Sequence, residues 1–379
     1  MALRQILIFT GVAAMLLAAC THPAAIKQFS KQGKNMVADR LANINTDTIA
    51  NDTTVNIAAV GDIMLGSSYP DSSGLPADKA TGTFQYALND LKKADIAFGN
   101  LEGVLLDTGA PVNYKLKFRN KGYLFRMPEE YGGILKNAGF NLLSVGNNHS
   151  NDFDYAGRKS TMKILDSLGI HTAGFKTHPS KTFTIKGVKY GFCAFSPNAQ
   201  TVPLLQTGAA KKLIAELKAA SDVVIVSFHG GGEGADFEHV KDSTEVFKGE
   251  NRGNVKLFAH AAIDAGADLV LGHGPHVGRA IEVYKKRLIA YSLGNFATYK
   301  GVSVSGVCGL APLLKLKLSK KGEFLNGEIR SYRQDHFAGV TPDTLKRAML
   351  RIKALTQADF VQPGIMISNS GYIAPANAN

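Results

Sequence analysis

A short apolar run ends abruptly at a glycine and an acid in residues 55–62, VNIAAVGD. Such a run is typical of a buried strand. Four further motifs end apolar runs in the same way: GNLE at 99–102, GNNH at 146–149, HGG at 229–231 and GHGPH at 272–276. Ligands in open α/β sheets collect at the carboxyl ends of the strands. We therefore expect the five motifs to meet at one edge and to form one metal site.

Helical patterns separate these strands. A helix is predicted around residues 84–91, and others over 213–220 and 255–265, while residues 188–195 predict a further strand. Strands that alternate with helices favour an α/β architecture over an all-β one.

The pattern changes after residue 279. Residues 281–284, 287–291 and 313–318 look like strands joined by short polar turns, which predicts antiparallel pairing and a second sheet. A basic amphipathic helix is predicted over 345–355, and the Ala- and Asn-rich tail after residue 372 predicts a frayed end.

The first residues of the chain predict export. Arg4 precedes an apolar stretch from Ile6 to Leu17, which is short for a membrane-spanning helix, and small residues lead to Cys20. This arrangement resembles the lipobox of bacterial lipoproteins, which implies a signal peptide over 1–19 and lipidation of Cys20. An ordinary cleaved signal with a chance cysteine is the alternative.

The remaining chain divides into a tether and one large domain. Residues 20–54 are polar and predict a lipidated Cys20 followed by a flexible tether, whereas 55–379 predict a single α/β domain. We therefore expect a protein of the cell envelope, lipid-anchored at Cys20 and facing the periplasm or the cell exterior.

The net charge and the two remaining cysteines give further expectations. A formal net charge of +12 favours anionic partners, but the Lys and Arg residues are scattered and form no nucleic-acid motif, so no nucleic acid is expected. Cys193 and Cys308 lie among apolar residues and predict two free buried thiols, although an exported protein could also pair them.

The residue types in the five motifs suit a divalent metal. A metal that activates water needs oxygen and imidazole ligands held rigidly, and a carboxylate, amide or histidine follows each strand. Gly61 is expected to let the backbone turn tightly before Asp62. Taken alone, Asp62 could form an ordinary Asx turn and His149 could cap a helix. The joint occurrence of the motifs favours the metal site.

The order of the motifs, followed by YSLGNF at 291–296, resembles the capsule synthesis protein CapA family, a branch of the calcineurin-like metallophosphoesterases. The resemblance covers roughly residues 55–300. It implies a metallophosphoesterase-like four-layer sandwich, in which two mixed sheets are flanked by helices, with a two-metal site at the sheet edge. It also implies a role in the synthesis, export or anchoring of an anionic capsule polymer, poly-γ-glutamate in the best-known members.

The resemblance assigns roles to seven residues and implies the partners. It gives one metal to Asp62, Glu102 and His276, the other metal to Asn148, His229 and His273, and the role of acid to His149. The cofactors would be one or two divalent ions of Mn, Zn or Fe. The partners would be an anionic cell-envelope polymer or phosphoester substrate, the membrane through lipidated Cys20, and a capsule-synthesis complex.

Two departures from the family pattern leave two functions open. Met64 stands where the wider superfamily has a histidine, and a thioether is a poor ligand for hard divalent ions. Gly230 stands where family members often have Trp, and the chain has no Trp. The ligand set favours a metal-dependent hydrolase or transferase. Met64 favours the alternative, a non-catalytic polymer-binding or export factor with a degenerate metal site.

Overall fold

A computed structural model describes residues 54–116, 123–336 and 339–376. The strands are, in chain order, β1 Thr54–Met64, β2 Ile96–Leu101, β3 Val104–Leu105, β4 Arg126–Met127, β5 Leu142–Ser144, β6 His171–Ala173, β7 Ser180–Ile185, β8 Val188–Phe195, β9 Val223–His229, β10 Glu245–Phe247, β11 Glu250–Gly253, β12 Leu269–His273, β13 Ile281–Tyr284, β14 Arg287–Ala290, β15 Asn295–Thr298, β16 Leu310–Ser319, β17 Phe324–Asp335, β18 Gly339–Pro342, β19 Ile365–Ile367 and β20 Tyr372–Pro375. The α-helices are α1 Leu88–Lys93, α2 Asn113–Leu116, α3 Tyr131–Ala138, α4 Asp154–Ser167, α5 Thr207–Ala219, α6 Val255–Asp264 and α7 Arg347–Asp359.

Two large mixed sheets form the centre of the fold. The first sheet has the order β19-β20-β17-β16-β1-β2-β5-β6, with β15 beside β1 and β18 beside β17. The second sheet has the order β13-β14-β12-β9-β8-β7. Strands β1, β2, β5 and β6 run parallel in the first sheet, and β8, β9, β12 and β14 run parallel in the second. Two short ribbons, β3-β4 and β10-β11, lie outside the two sheets.

Three apolar layers hold the sheets and helices together. Successive side chains of β1 point to opposite faces, so that Ile57 packs towards the second sheet and Ala58 towards the helices. The layer between the sheets joins Phe98 of β2 to Phe192 and Ile225 of β8 and β9. The outer face of the first sheet packs on α1, α3 and α4, and that of the second on α5 and α6, while α7 packs into the layer between the sheets. The order helix, sheet, sheet, helix confirms the four-layer sandwich.

The structure corrects the expectation that the strands after residue 279 form the second sheet. The strands after residue 279 do not build a sheet of their own, because β13 and β14 complete the second sheet and β14 pairs parallel with β12. The second sheet already begins at β7, and the chain returns to the first sheet from β15 onwards. An apolar run predicts that a strand is buried, but it does not state which sheet receives the strand.

Other sequence predictions have mixed outcomes. The strand over 188–195 is confirmed as β8, and the helices over 213–220 and 255–265 are confirmed as α5 and α6, which end one residue earlier than predicted. The expectation of a frayed tail after residue 372 is wrong as far as residue 375, because residues 372–375 form β20, which pairs with β17 and β19, while 377–379 lie outside the described residues. The helix around 84–91 begins only at Leu88, because the residues before it form turns.

The cysteines and the predicted export segments have separate outcomes. Within the described residues both thiols are free, and Cys193 is buried. Cys308 is only partly buried, because it lies in a 3-10 turn and not in a strand. The signal peptide over 1–19 lies outside the described residues, as does the tether over 20–54 except Thr54, which begins β1. In the described part of the chain, no helix has the length and apolar character needed to cross a membrane.

Arg279 is fully buried and connects loops that follow the strands of the second sheet. Arg279 donates two hydrogen bonds to Glu245 of β10, of 2.9 Å from Nη1 to Oε1 and 2.7 Å from Nη2 to Oε2. Glu245 also accepts a hydrogen bond from the amide of Gly232, 2.8 Å long, in the loop after β9. The pair therefore joins the β10-β11 ribbon to the HGG loop and to the chain three residues beyond His276.

We expect Arg279→Met to lower the free energy of unfolding by about 3–5 kcal/mol, because it leaves Glu245 buried without its partner. Urea unfolding measures the change. Replacing both partners, Arg279→Met with Glu245→Leu, should recover part of the loss. As a control, Lys286→Met removes only an exposed ion pair with Glu323 and should leave the midpoint unchanged. A single variant as stable as the wild type would contradict this role.

Candidate metal centre

The five motifs converge at the carboxyl ends of strands from both sheets. β1, β2 and β5 deliver their motifs from the first sheet, and β9 and β12 deliver theirs from the second. Strand register places Asp62 beside Asn100 in one sheet and His273 beside His229 in the other. Asp62, Glu102 and His276 each offer one ligand atom, and these atoms lie within 4.8 Å of one another. The site therefore lies where the edges of the two sheets meet.

Gly61 marks the point where β1 changes its neighbour. β16 pairs with β1 as far as Val60, and β15 replaces it from Asp62 onwards. A Cβ at Gly61 would lie 2.0 Å from the carbonyl oxygen of Gly294. The expectation of a tight turn at Gly61 is wrong, because β1 continues to Met64 and the glycine instead permits this close approach. Asp62 is accordingly a strand residue and not part of an Asx turn.

Asp62 is the centre of the polar contacts. Its Oδ1 accepts a hydrogen bond of 2.8 Å from Nδ2 of Asn100 and lies 3.2 Å from Nδ1 of His273. Its Oδ2 lies 3.1 Å from Nδ1 of His276. Asp62 is fully buried, and Asn100 replaces water at Oδ1, whereas Oδ2 has no hydrogen-bond partner among the described residues.

His276 is held in an unusual backbone conformation. Its φ of 58° lies in the left-handed region, which costs a non-glycine residue free energy and often marks a functional position. Asn295 donates through Nδ2 to the carbonyls of Ser303 and Cys308, so its Oδ1 accepts from Nδ1 of His276 at 2.9 Å. Nε2 of His276 is therefore left for a metal, and it lies 3.7 Å from Oε1 of Glu102.

Several buried ligand-type atoms have no hydrogen-bond partner among the described residues. At the site they are Oδ2 of Asp62, both carboxylate oxygens of Glu102, Oδ1 of Asn148, Nε2 of His229 and both ring nitrogens of His273. A buried polar atom without a partner costs about 1–3 kcal/mol, and an ionised carboxylate costs more. Imidazole nitrogen and carboxylate or amide oxygen are ligands of catalytic divalent metals. The residues present therefore fit the metal site that the sequence predicts.

The charges of the buried groups favour a cation at this point. Burial raises the pKa of Glu102, and nearby Asp62 adds to the rise. Burial alone would also raise the pKa of Asp62, but His273 and His276 lower it well below its ordinary value. Burial lowers the pKa of His229 far below its ordinary value, which keeps this imidazole neutral and able to bind a metal.

His149 lies at one side of the site in a fixed orientation. Its Nδ1 lies 2.8 Å from Oδ2 of Asp152, and its ring stacks on Phe125 with 4.0 Å between centroids. Asp152 also accepts a hydrogen bond of 2.7 Å from the amide of Phe125 and an ion pair from Lys115. His149 does not cap a helix, because α4 begins at Asp154. Burial lowers the pKa of His149, and Asp152 opposes the decrease.

Three contributing residues received no role from the sequence. Asn100 bonds Asp62, Asp152 orients His149, and Asn295 orients His276. Asn100 and Asn295 stand inside quoted motifs, and Asp152 follows His149 by three residues. The sequence shows an amide at each strand end and an acid three residues after His149. It does not show which side chain each of them contacts, so their roles could not be assigned.

Met64 and the remaining histidines lie in other environments. The sulfur of Met64 accepts a hydrogen bond of 3.3 Å from the amide of Gly66, and the side chain packs with Phe125 and Val302. Within the described residues, five further histidines contact groups outside the site: His171 stacks on Phe183, His178 bonds Thr177, His239 bonds Asp359, His260 bonds Glu282 and His336 lies near Tyr299.

Comparison with protein families identifies the class of protein that carries this arrangement. Residues 56–300 match the model of the bacterial capsule synthesis protein PGA_cap family, and the chain belongs to this family. The chain is 28% identical over 281 residues to the PGA biosynthesis protein CapA of Bacillus subtilis (strain 168), which covers 66% of this chain and 65% of that protein. It is 28% identical over 270 residues to the capsule biosynthesis protein CapA of Bacillus anthracis, and this match covers 65% of this chain and 60% of that protein. The matched region thus spans less than two thirds of the length of these relatives.

Solved structures show more distant similarity. A phosphatase from Mycoplasma pneumoniae superposes with a TM-score of 0.48 at 13% identity and covers 77% of this chain and 96% of its own. A 5'-nucleotidase precursor from Thermus thermophilus gives a TM-score of 0.39 at 14% identity and covers 80% and 59%. The strand order and the three apolar layers of this chain establish its four-layer fold independently.

We expect Gly61→Ala to destabilise the protein by about 1–3 kcal/mol, because the new methyl group meets the backbone of Gly294, which cannot rotate away. The same displacement would move Asp62. Urea unfolding and metal content measure the two effects. The matched control is Gly208→Ala in α5, where no atom lies within 4 Å of the added Cβ and alanine should be neutral or slightly stabilising. Equal stability of the two variants would contradict the close-approach role of Gly61.

Proposed function

We propose that this chain is a metal-dependent hydrolase of the phosphoesterase type that acts in the synthesis, export or anchoring of an anionic capsule polymer such as poly-γ-glutamate. The observation that carries the proposal is the convergence of Asp62, Glu102 and His276 beside buried ligand atoms without partners. The family membership and the names of the Bacillus relatives support the capsule polymer as the biological context.

Two groups of side chains would hold the metal ions. One ion of Mn, Zn or Fe would take Asp62, Glu102 and His276, and a second would take Asn148, His229 and His273. When bound, such ions lower the pKa of a water molecule and stabilise the charge on a phosphoryl or carbonyl oxygen. Within the chain, Asp62 holds the two groups together, because it contacts His276 of the first and His273 of the second.

His149 is suited to transfer a proton to a leaving group. Asp152 accepts Nδ1–H, stabilises the protonated ring and leaves Nε2 as the atom that can carry and release a proton. The stacking on Phe125 and the Lys115–Asp152 pair restrict the rotation of the ring. This fixed geometry is what a general acid requires.

The cellular setting completes the proposal. Lipidation at Cys20 would anchor the domain to a membrane through the tether over 20–54, in the cell envelope and facing the periplasm or the cell exterior. The net charge of +12 would favour an anionic polymer there and would also favour association with a capsule-synthesis complex.

One observation favours a second candidate, a polymer-binding or export factor without catalysis. Met64 replaces a ligand of the wider superfamily, and its sulfur already accepts a hydrogen bond from Gly66. The first metal would then bind through fewer ligands. A factor of this kind would need the basic charge and the lipid anchor but not the hydrolytic chemistry.

We expect the purified protein to retain one or two divalent ions per chain, and expect His229→Ala and His276→Ala each to reduce metal content strongly without unfolding the protein. Elemental analysis and circular dichroism measure the two properties. His178→Ala, at an exposed histidine, is the control and should retain the metal. Unchanged stoichiometry in both site variants would refute the ligand assignment. Absence of Zn, Mn and Fe, with no hydrolysis of bis-aryl phosphates when those ions are added, would reject the enzyme in favour of the binding factor.

We expect Asp152→Asn to lower kcat about 10–100-fold with little change in KM, because an amide supports the protonated His149 ring poorly. Steady-state hydrolysis of an aryl phosphate, together with metal analysis, measures the effect. Asp154→Asn is the control, since this neighbouring side chain is exposed and pairs only with Arg158 among the described residues. Loss of metal in Asp152→Asn would indicate a structural role instead, and unchanged kcat would exclude His149 as the acid.

A further inference from the structure

Arg252, near the end of β11, is a buried cation whose hydrogen bonds are incomplete. Its side chain is 4% exposed and pairs through Nη2 with Glu233. Nε and Nη1 are buried and have no hydrogen-bond partner among the described residues. Nη1 also lies 3.8 Å from a carboxylate oxygen of exposed Glu250, which is too far for a hydrogen bond. Because unbonded donors on a buried cation cost free energy, these two nitrogens are suited to a further acceptor.

Arg279, which is also buried, has a different arrangement. Both of its Nη atoms donate to carboxylate oxygens of Glu245, although its Nε likewise has no partner among the described residues. This two-bond pairing fits the structural role of Arg279. Arg252 bonds its carboxylate through one nitrogen only, so more of its donor capacity remains unused.

Arg252 lies beside the loop that follows His229. Its carbonyl oxygen accepts a hydrogen bond of 2.9 Å from the amide of Gly231, and a Cβ at Gly230 would lie 3.0 Å from the same oxygen. Burial is the main cause of the low pKa of His229, and the positive charge of Arg252 lowers it further. The guanidinium is therefore close enough to the candidate metal centre for its charge to act there.

Glu233 is the more accessible member of the pair. Its side chain is 21% exposed, in contrast to that of Arg252. Burial is the main cause of the raised pKa of Glu102, and the negative charge of Glu233 adds to it. The pair as a whole therefore lies at the metal centre, with its carboxylate nearer to solvent.

A fixed positive charge at this place does not help to hold a metal ion, because like charges repel. It is suited instead to negative charge on a substrate, which a guanidinium stabilises through charge-assisted hydrogen bonds. In the absence of such an anion, Glu233 compensates the charge of Arg252.

We propose that Arg252 binds an oxyanion of the substrate's reacting group beside the candidate metal centre, and that Glu233 holds the guanidinium until the anion replaces it. The inference rests on the proposed function, because it adds a substrate-binding residue to the same site. A guanidinium accepts phosphoryl and carboxylate groups alike, so the shared chemistry is that of an oxyanion with several acceptor oxygens.

The test measures binding of inorganic phosphate and of succinate to the full chain by isothermal titration calorimetry, with added Mn²⁺ and after treatment with a chelator. We expect Arg252→Gln to weaken binding of the preferred anion about tenfold, because charge-assisted hydrogen bonds are lost, and Arg252→Lys to retain part of the affinity. Glu233→Gln should strengthen binding about threefold, because a competing negative charge is removed. The matched control, Arg333→Gln, removes the same charge at an exposed position of β17, which carries none of the five motifs, and should have little effect.

The double variant, Arg252→Gln with Glu233→Gln, separates contact with the anion from loss of the ion pair. Binding that stays weak supports the contact. Recovery to the affinity of Glu233→Gln would show that Arg252 only neutralises Glu233, which overturns the inference. Tighter binding of phosphate assigns Arg252 to a phosphoryl group, and tighter binding of succinate assigns it to a carboxylate.

Three further results would overturn the inference: unchanged affinity in Arg252→Gln, equal weakening by Arg252→Gln and Glu233→Gln, or a wild type that binds neither anion in either sample. Circular dichroism verifies that each variant is folded, and metal content is measured in parallel. A wild type without metal contradicts the proposed hydrolase, whereas a wild type with metal and an ineffective Arg252→Gln contradicts only the role of Arg252.

Discussion

The burial of Asp62 is the constraint on which the rest of the site depends. A carboxylate that leaves water must be compensated, and Asp62 obtains its contacts from Asn100 in its own sheet and from His273 and His276, which come from the second sheet. Both sheets must therefore be assembled before this carboxylate has its partners. Gly61 allows Asp62 to occupy this buried position, because only a residue without Cβ lets β1 pass so close to Gly294.

The sequence predicts the elements of this arrangement better than their assembly. The strand-end positions of Asp62, Glu102 and His229 follow from apolar runs that stop at glycines, since buried strands need apolar residues and their ends meet at one edge. The distribution of strands between the sheets could not be predicted, because an apolar run shows that β14 and β16 are buried but not that β14 pairs with β12 and β16 with β1. Pairing between remote strands is a property of the whole fold.

The same distinction applies within the site. Metal-type residues are recognisable because a carboxylate, amide or histidine follows each of five apolar runs, although each one alone is an ordinary turn residue. The residues that orient them are not, since Asp152 and Asn295 acquire meaning only from the geometry of His149 and His276. The role of Gly61 escapes prediction for the same reason: glycine permits both a turn and a close approach, and the sequence does not distinguish them.

The charges of the buried groups make a bound ion part of the stability of the site. Burial raises the pKa of Glu102 and favours its neutral form, whereas Asp62 stays ionised because His273 and His276 lower its pKa against the effect of burial. A divalent ion would supply the positive charge that lets both carboxylates ionise, and the oxygens of Glu102 that have no hydrogen-bond partner among the described residues would become its ligands. The cost of burying these groups would therefore be offset when the ion binds.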